Sequence, residues 1–150
     1  MALMKPFSMK HLLKRSLLAL GLTAAGTAVA APFSINLGGS LGGGAGLHFG
    51  LTDQNLFTLG TLPIDGRLSA DANRYGVLVN ADALAVYDAG GFTLYGGPGI
   101  TLGAGNGLGL ALTGGLNYPL SDRFGLYAEA AVRLLNTAPS VLRVGVTYDF

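Results

Sequence analysis

The chain has 150 residues, of which half are hydrophobic and 11% are charged, with no cysteine and a formal net charge of +1. This length favours one domain, and the charged fraction is less than half of that in ordinary soluble domains, which is about a quarter. The absence of cysteine excludes a disulfide-stapled scaffold and any thiolate metal site.

Residues 1–30 have the pattern of a secretory signal peptide. Its basic residues are Lys5, Lys10, Lys14 and Arg15. A short apolar run over residues 17–29 follows, and Ala28-Val29-Ala30 fits the small-x-small cleavage site. A transmembrane helix is a poorer interpretation, because it needs about twenty apolar residues and this run is diluted by glycine and threonine. We expect cleavage near Ala30 or Ala31 and a mature domain of residues 31–150.

Removal of the signal peptide changes the charge of the protein. Four of the nine basic residues lie in the peptide, whereas all eight acidic residues follow it, so the mature chain carries −3 and no lysine. No basic surface is left to hold the phosphates of a nucleic acid. We therefore exclude nucleic acid as a partner.

Eight segments of the mature chain alternate apolar with small or polar residues, which is the period of a β-strand. They cover residues 33–37, 44–51, 56–62, 75–87, 92–103, 108–118, 124–135 and 141–150. The segment 56–62 is the weakest, because its apolar residues fall on both faces. Residues 33–51 keep one parity throughout, so six strands is the alternative to eight. Gly97-Pro98-Gly99 predicts a bulge or a break in the fifth strand.

Aromatic residues recur at the same end of these segments, beside turns predicted at residues 52–54, 88–91 and 120–123. Aromatic rings prefer the boundary between hydrocarbon and water. A ring of them on strands that reverse every ten residues or so is typical of a membrane-spanning barrel. We predict a girdle of Phe33, Phe49, Phe57, Tyr87, Phe92, Tyr118, Phe124, Tyr148 and Phe150.

Four charged residues fall opposite the apolar face of their own segments. They are Asp82, Glu129, Arg133 and Arg143. An arginine that faced lipid at mid-membrane would cost roughly 2–4 kcal/mol, so we expect all four to point into a lumen and pair there. A soluble β-sandwich would sort its charges identically, but it would carry many more of them. The predicted fold class is therefore an all-β, up-and-down antiparallel transmembrane β-barrel with eight strands.

The connections at the other end of the strands are predicted outer loops, over residues 41–44, 63–74, 103–106 and 136–140. The longest begins at Pro63 and ends at Arg74. Its charged residues are Asp65, Arg67, Asp71 and Arg74. This loop is a candidate contact with neighbouring envelope proteins.

The chain ends in Val144-Gly145-Val146-Thr147-Tyr148-Asp149-Phe150, and Leu120-Ser121-Asp122-Arg123-Phe124 forms an inner turn. With the exported N-terminus, these features resemble the small eight-stranded outer-membrane β-barrels of diderm bacteria, the group that includes the OmpA transmembrane domain and OmpX. The resemblance implies an outer-membrane location, contact with outer-membrane lipid, and insertion by the barrel-assembly machinery. The assembly signal would be Val144, Val146, Tyr148 and Phe150. The high glycine content and the short loops depart from the family pattern.

The mature sequence carries little that indicates chemistry. His48 is its one histidine, which excludes a multi-histidine metal site within one chain. No G-x-S-x-G elbow supports a triad of His48 with Glu129 and a serine, and the glycine runs lack the lysine of a phosphate loop. We expect no catalytic residue, no cofactor and no metal.

The expected function is therefore non-enzymatic. We expect an outer-membrane protein that supports the structure of the envelope, with a lumen closed by small residues and paired charges. The first alternative is a narrow channel for water or very small solutes. The second is a barrel subunit that packs against a larger envelope complex. A lipid-modifying barrel enzyme and a secreted soluble β protein are weaker alternatives.

Overall fold

The computed structural model describes residues 33–103, 105–135 and 137–150. The predicted signal peptide lies outside the described residues. The strands are β1 (Phe33–Leu41), β2 (Ala45–Leu59), β3 (Leu62–Asn73), β4 (Gly76–Asp88), β5 (Thr93–Gly103), β6 (Gly107–Pro119), β7 (Phe124–Leu134) and β8 (Val141–Asp149). Each strand pairs antiparallel with the next, and β8 pairs with β1 to close the barrel. The predicted up-and-down barrel of eight strands is confirmed, and six strands are excluded.

The barrel is narrow and its strands are staggered. Ser34 pairs with Thr52 on one side and with Asp149 on the other. When the cross-strand pairs are followed once around the barrel from Ser34, the path reaches Arg133 on β7 and then comes level with residue 139, about ten residues before Asp149. A stagger of this kind tilts the strands, and an interior of eight strands is only wide enough to be filled by side chains.

Alternation along each strand separates two environments. On β7, Tyr127 and Glu129 are buried inside the barrel, whereas Leu126 and Leu134 face outward and are about half exposed. A closed barrel satisfies every backbone hydrogen bond between strands, so its outer face need not be polar. None of the described residues forms a helix long and apolar enough to cross a membrane.

The β2–β3 hairpin differs from the sequence-based prediction. β2 continues through residues 52–54 to Leu59, and the turn comes at Gly60, whose φ is 65°. A bulge between Asp53 and Phe57, with Asn55 at φ 54°, shifts the register there. The bulge interrupts the alternation, and this interruption was misread as a turn. The turn predicted at 52–54 and the strand predicted over 56–62 are both wrong.

The outer loop predicted from Pro63 to Arg74 is also wrong, because β3 occupies Leu62–Asn73. Within β3, Arg67 and Asp71 alternate with apolar residues and point inward, whereas Arg74 lies exposed in the turn between β3 and β4. The expected contact between this segment and neighbouring envelope proteins stays a prediction. The connection that remains at this place is short, between the ends of β3 and β4.

Pro98 lies inside β5 without a bulge. The pairing of β5 with β4 is interrupted between Asp82↔Gly99 and Ala85↔Gly96, yet the register is the same on both sides of the gap. Pairing with β6 runs unbroken through Pro98↔Leu112. The gap accommodates proline, which has no N–H to donate. Two positions of the ladder are lost, but the strand continues on both sides.

Candidate functional site

Six charged side chains form one layer inside the barrel, which we call the ion layer. It consists of Arg67, Asp71, Asp82, Glu129, Arg133 and Arg143. These side chains are no more than 1% exposed. Three arginines meet three carboxylates, so the layer is electrically neutral. Its members come from β3, β4, β7 and β8, and they meet because all point inward at neighbouring heights.

Asp71 accepts most of the hydrogen bonds at one side of the layer. Arg133 Nη2 donates to its Oδ2 at 2.5 Å, and Arg143 donates to both of its oxygens. His48 Nδ1 lies 2.9 Å from Oδ1, and Asn80 Nδ2 donates to Oδ2 at 3.2 Å. A buried carboxylate needs this number of partners, because each oxygen loses its water on burial.

Glu129 joins the two sides of the layer. Arg67 Nη1 donates to its Oε2 at 2.5 Å, and Arg143 Nη1 donates to its Oε1. Arg67 also reaches Asp82 Oδ2 at 3.3 Å, where Thr113 adds a hydroxyl donor to Oδ1 at 3.3 Å. A continuous chain of charge-assisted hydrogen bonds therefore crosses the lumen.

Tyrosines and glycines fill the space beside the ion layer. Gly38 lies opposite Gly145, and a Cβ on Gly38 would stand 2.2 Å from the Val144 carbonyl oxygen and 2.5 Å from the Tyr127 hydroxyl oxygen. The guanidinium carbon of Arg67 stands 5.7 Å from the ring centroid of Tyr95. The glycines leave the room that these large side chains need inside a narrow barrel.

All four predicted lumen charges belong to the ion layer. The prediction missed Arg67 and Asp71, because both were assigned to a loop. The signal was present in the sequence: Arg67, Ser69 and Asp71 alternate with Leu68, Ala70 and Ala72. That is the same strand period that located the other four charges.

His48 is buried beside Asp71, with its ring 6.1 Å from that of Tyr127 at an interplanar angle of 61°. Its Nε2 has no hydrogen-bond partner among the described residues. Within that same part of the chain, no three His, Asp or Glu side chains are arranged to hold a metal ion. The histidine thus completes the polar surroundings of Asp71 in this structure.

The predicted girdle residues take three positions. Phe124, Tyr148 and Phe150 pack edge to face at the end of the barrel where β1 begins and β8 ends, which we call the terminal end. Their ring centroids are 5.0 and 5.1 Å apart, and Phe150 N donates to Phe33 O. Tyr87, Phe92 and Tyr118 lie at or beside the strand ends on that side. Phe49 instead stands inside β2, opposite Leu37, and Phe57 lies in the β2–β3 hairpin opposite Ile64. Neither flanks a turn at 52–54.

The predicted assembly-signal residues share the outer face of β8. Val144 and Val146 are exposed, and Phe150 is 60% exposed. Tyr148 pairs with Phe124 across the strands. The four side chains form one outward row that ends at the terminal side of the barrel.

A polar cavity of about 330 Å³ opens at the terminal end of the barrel, and we call it the vestibule. Its inner wall includes Arg67, Tyr95 and Tyr127, and its mouth includes Asp65 and Asp149. A second depression, of about 500 Å³, lies among the loops at the other end. The side chains of Asp71, Glu129, Arg133 and Arg143 line neither space. The ion layer therefore stands between two separate cavities.

No protein-family model matches the sequence, and no curated protein matches it either. The fold is similar to that of solved barrels. A de novo designed transmembrane β-barrel has a TM-score of 0.63 at 11% identity, over 80% of this chain and 96% of that one. The outer membrane protein Ail of Yersinia pestis, solved in a phospholipid bilayer nanodisc, has a TM-score of 0.55 at 16% identity, over 80% of this chain and 99% of that one. The designed barrel TMB2.3 has a TM-score of 0.53 at 14% identity, over 80% of this chain and 94% of that one. At these identities the likeness is one of fold.

Proposed function

We propose that this chain is an outer-membrane β-barrel that supports the structure of the envelope and catalyses no reaction. The observation that carries the proposal is the outer surface. Every strand exposes large apolar side chains, such as Leu112 at 56% and Leu142 at 60%. A monomeric soluble protein rarely exposes a contiguous apolar patch above a few hundred Å². A closed barrel with such a surface is stable when hydrocarbon surrounds it.

The dimensions of the barrel support the same proposal. Strands of about ten residues, rising about 3.4 Å each and tilted about 45°, span roughly 24 Å, which is close to the apolar band of membrane barrels. On β6 the outward row runs from Leu108 through Leu112 to Tyr118, so an apolar stretch ends in an aromatic ring. The chain would reach this membrane through its signal peptide. The outward row of β8, which ends at Phe150, would be read by the barrel-assembly machinery.

The interior supports a scaffold rather than an open pore. The ion layer crosses the lumen without an exposed charge, and each carboxylate in it meets at least one arginine. Water-filled pores keep their charged side chains hydrated, whereas these are desolvated and paired. The candidate role is therefore a lipid-embedded barrel whose interior is closed.

The narrow channel remains the second candidate because one specific feature favours it. The vestibule lies at one end of the barrel and the second depression lies among the loops at the other, with the ion layer between them. Opening of this layer would turn two dead-end spaces into one path. The same six residues would then act as a gate.

Planar-bilayer conductance separates the two candidates. We expect the purified barrel to give no steps above the protein-free baseline, because the ion layer stays closed. The matched variant Arg67→Ala with Glu129→Ala removes one arginine and one carboxylate, keeps the net charge, and should raise the conductance. Steady conductance by the unmodified protein would overturn the scaffold proposal and support the channel.

A further inference from the structure

The vestibule contains polar atoms whose hydrogen bonds the described chain does not complete. Asn36, Asn117 and Tyr127 line this space, and one side-chain oxygen of each has no hydrogen-bond partner in the part of the protein that the structure describes. Asn36 is 6% exposed and Tyr127 is 3% exposed. A buried polar group without a partner is destabilising, so a cluster of them marks a place where another molecule's donors are accommodated.

The mouth of the vestibule is negatively charged. Asp65 and Asp149 both line it and are half-buried. Each already has one neutral donor: Asn55 N donates to Asp65 at 2.8 Å, and Gln54 Nε2 donates to Asp149 at 2.9 Å. A carboxylate can accept several hydrogen bonds, so both retain capacity for a ligand.

Arg67 is the one cation among the described residues that line the vestibule, and it does not offset this charge. Arg67 directs its two terminal nitrogens to Glu129 and Asp82 in the neutral ion layer. The lining as a whole is therefore negative, and its low-dielectric walls concentrate the field. This arrangement attracts a cation and repels an anion.

The walls also contain apolar side chains. Leu84, Val86 and Pro63 also line the vestibule. The methylene groups of a ligand can pack against these apolar side chains, whereas a compact metal ion has no methylene groups to do so. The volume of about 330 Å³ falls at the lower end of ligand pockets, which span roughly 300–1,000 Å³.

We propose that the vestibule binds a linear aliphatic diamine or polyamine. One ammonium group pairs with Asp65 or Asp149 at the mouth, the methylene chain lies against Leu84 and Val86, and the inner amine donates to the amide oxygen of Asn36 or Asn117. The proposal concerns only the interior of the barrel. It holds whether or not the ion layer ever opens, so its failure is distinguishable from failure of the proposed scaffold role.

The test is isothermal titration of the purified barrel in detergent micelles with three ligands of the same length. These are 1,4-diaminobutane, the neutral butane-1,4-diol and the dianion succinate. We expect saturable one-to-one binding of the diamine alone. Equal binding of the diol, or no saturable binding of the diamine, would overturn the proposal.

Two double variants locate the site. Asp65→Asn with Asp149→Asn should weaken diamine binding at least tenfold, because it removes both charged acceptors. Asp88→Asn with Asp122→Asn makes the same charge change in exposed turns at the same end, outside the vestibule. This control should change the affinity less than twofold. Equal losses in the two variants would show general surface attraction and contradict a built site.

A measurement on the unmodified protein removes any dependence on the folding of variants. The side-chain amide NMR signals of Asn36 and Asn117 should shift along a saturation curve as diamine is added. The amide of Asn73, at the opposite end of the barrel, is the internal reference and should not move. Shifts confined to the turn of residues 89–92 would contradict the proposal.

Discussion

Arg143 holds the carboxylate of Asp71 by two hydrogen bonds across the interior, although the residues are 72 positions apart in the chain. Its Nε donates to Oδ1 at 2.9 Å, and its Nη2 donates to Oδ2. These residues belong to β8 and β3, which are not neighbours in the barrel. The same guanidinium donates to Glu129 on β7. The ion layer therefore connects strands that no backbone ladder joins.

Replacement of Arg143 by leucine should destabilise the barrel strongly. Asp71 and Glu129 would each lose a buried cation, and a broken buried ion pair typically costs about 3–5 kcal/mol. Urea unfolding in phospholipid vesicles, followed by circular dichroism, measures the change. The control Arg123→Leu lies in an exposed turn, where its guanidinium is 3.4 Å from the Tyr148 hydroxyl, and should stay within about 0.5 kcal/mol. If both variants unfold like the unmodified protein, the ion layer does not stabilise the fold.

Arg67 and Glu129 should be energetically coupled. Each single variant, Arg67→Met or Glu129→Gln, leaves the other residue's buried charge without one of its partners, whereas the double variant removes both charges together. We expect the double variant to lose less stability than the two singles combined, by about 1–3 kcal/mol. A double-mutant cycle built from urea-unfolding free energies measures this difference. Strict additivity would mean that the 2.5 Å contact carries no net interaction.

Two adjacent glycines on β1 should respond in opposite ways to alanine. A Cβ on Gly38 would stand 2.2 Å from a backbone oxygen and 2.5 Å from the Tyr127 hydroxyl oxygen, so Gly38→Ala must displace the chain. Gly39 faces outward, and a Cβ there would meet nothing nearer than 3.9 Å. We expect Gly38→Ala to lower the unfolding free energy by about 1–3 kcal/mol and Gly39→Ala to leave it unchanged or raised. Equal effects in urea unfolding would refute the close packing of the interior.

An arginine in the apolar belt should be costly only when lipid surrounds the barrel. Leu112 faces outward on β6, and Leu112→Arg should destabilise the protein in phospholipid vesicles by about 2–4 kcal/mol. The matched substitution Leu120→Arg lies in an exposed turn and should cost less than about 1 kcal/mol. Unfolding titrations of both variants in the same vesicles provide the comparison. A negligible cost at Leu112 would show that this face does not contact hydrocarbon.

Sequence patterns predicted most of this fold because the two faces of the barrel differ so strongly. On β7 and β8 the alternation is unbroken, so both strands and the inward position of Glu129, Arg133 and Arg143 could be predicted from period two alone. The closing of the barrel also follows from short turns and an even strand number. Packing distances and hydrogen-bond partners could not be predicted from the sequence pattern, because they depend on the stagger between strands.

The β2–β3 hairpin was mispredicted for a physical reason. The bulge at Asn55 breaks the alternation, and the charges that follow are typical of a solvated loop when no partner is visible in the sequence. Glu129 on β7 and Arg143 on β8 are among the partners that stabilise Arg67 and Asp71 inside the barrel. Such partners are distant in the chain. A local pattern therefore located the alternation but could not show that the charges would be paired.

The most direct test of a membrane-embedded closed barrel is gel migration of cell fractions in SDS, with and without boiling. A closed barrel keeps its hydrogen-bonded ladder in SDS until it is heated, so it migrates differently before and after boiling. We expect the mature protein in the outer-membrane fraction, with two such forms. A single form in the soluble periplasmic fraction would contradict the proposal, and the exposed apolar surface would then need another explanation.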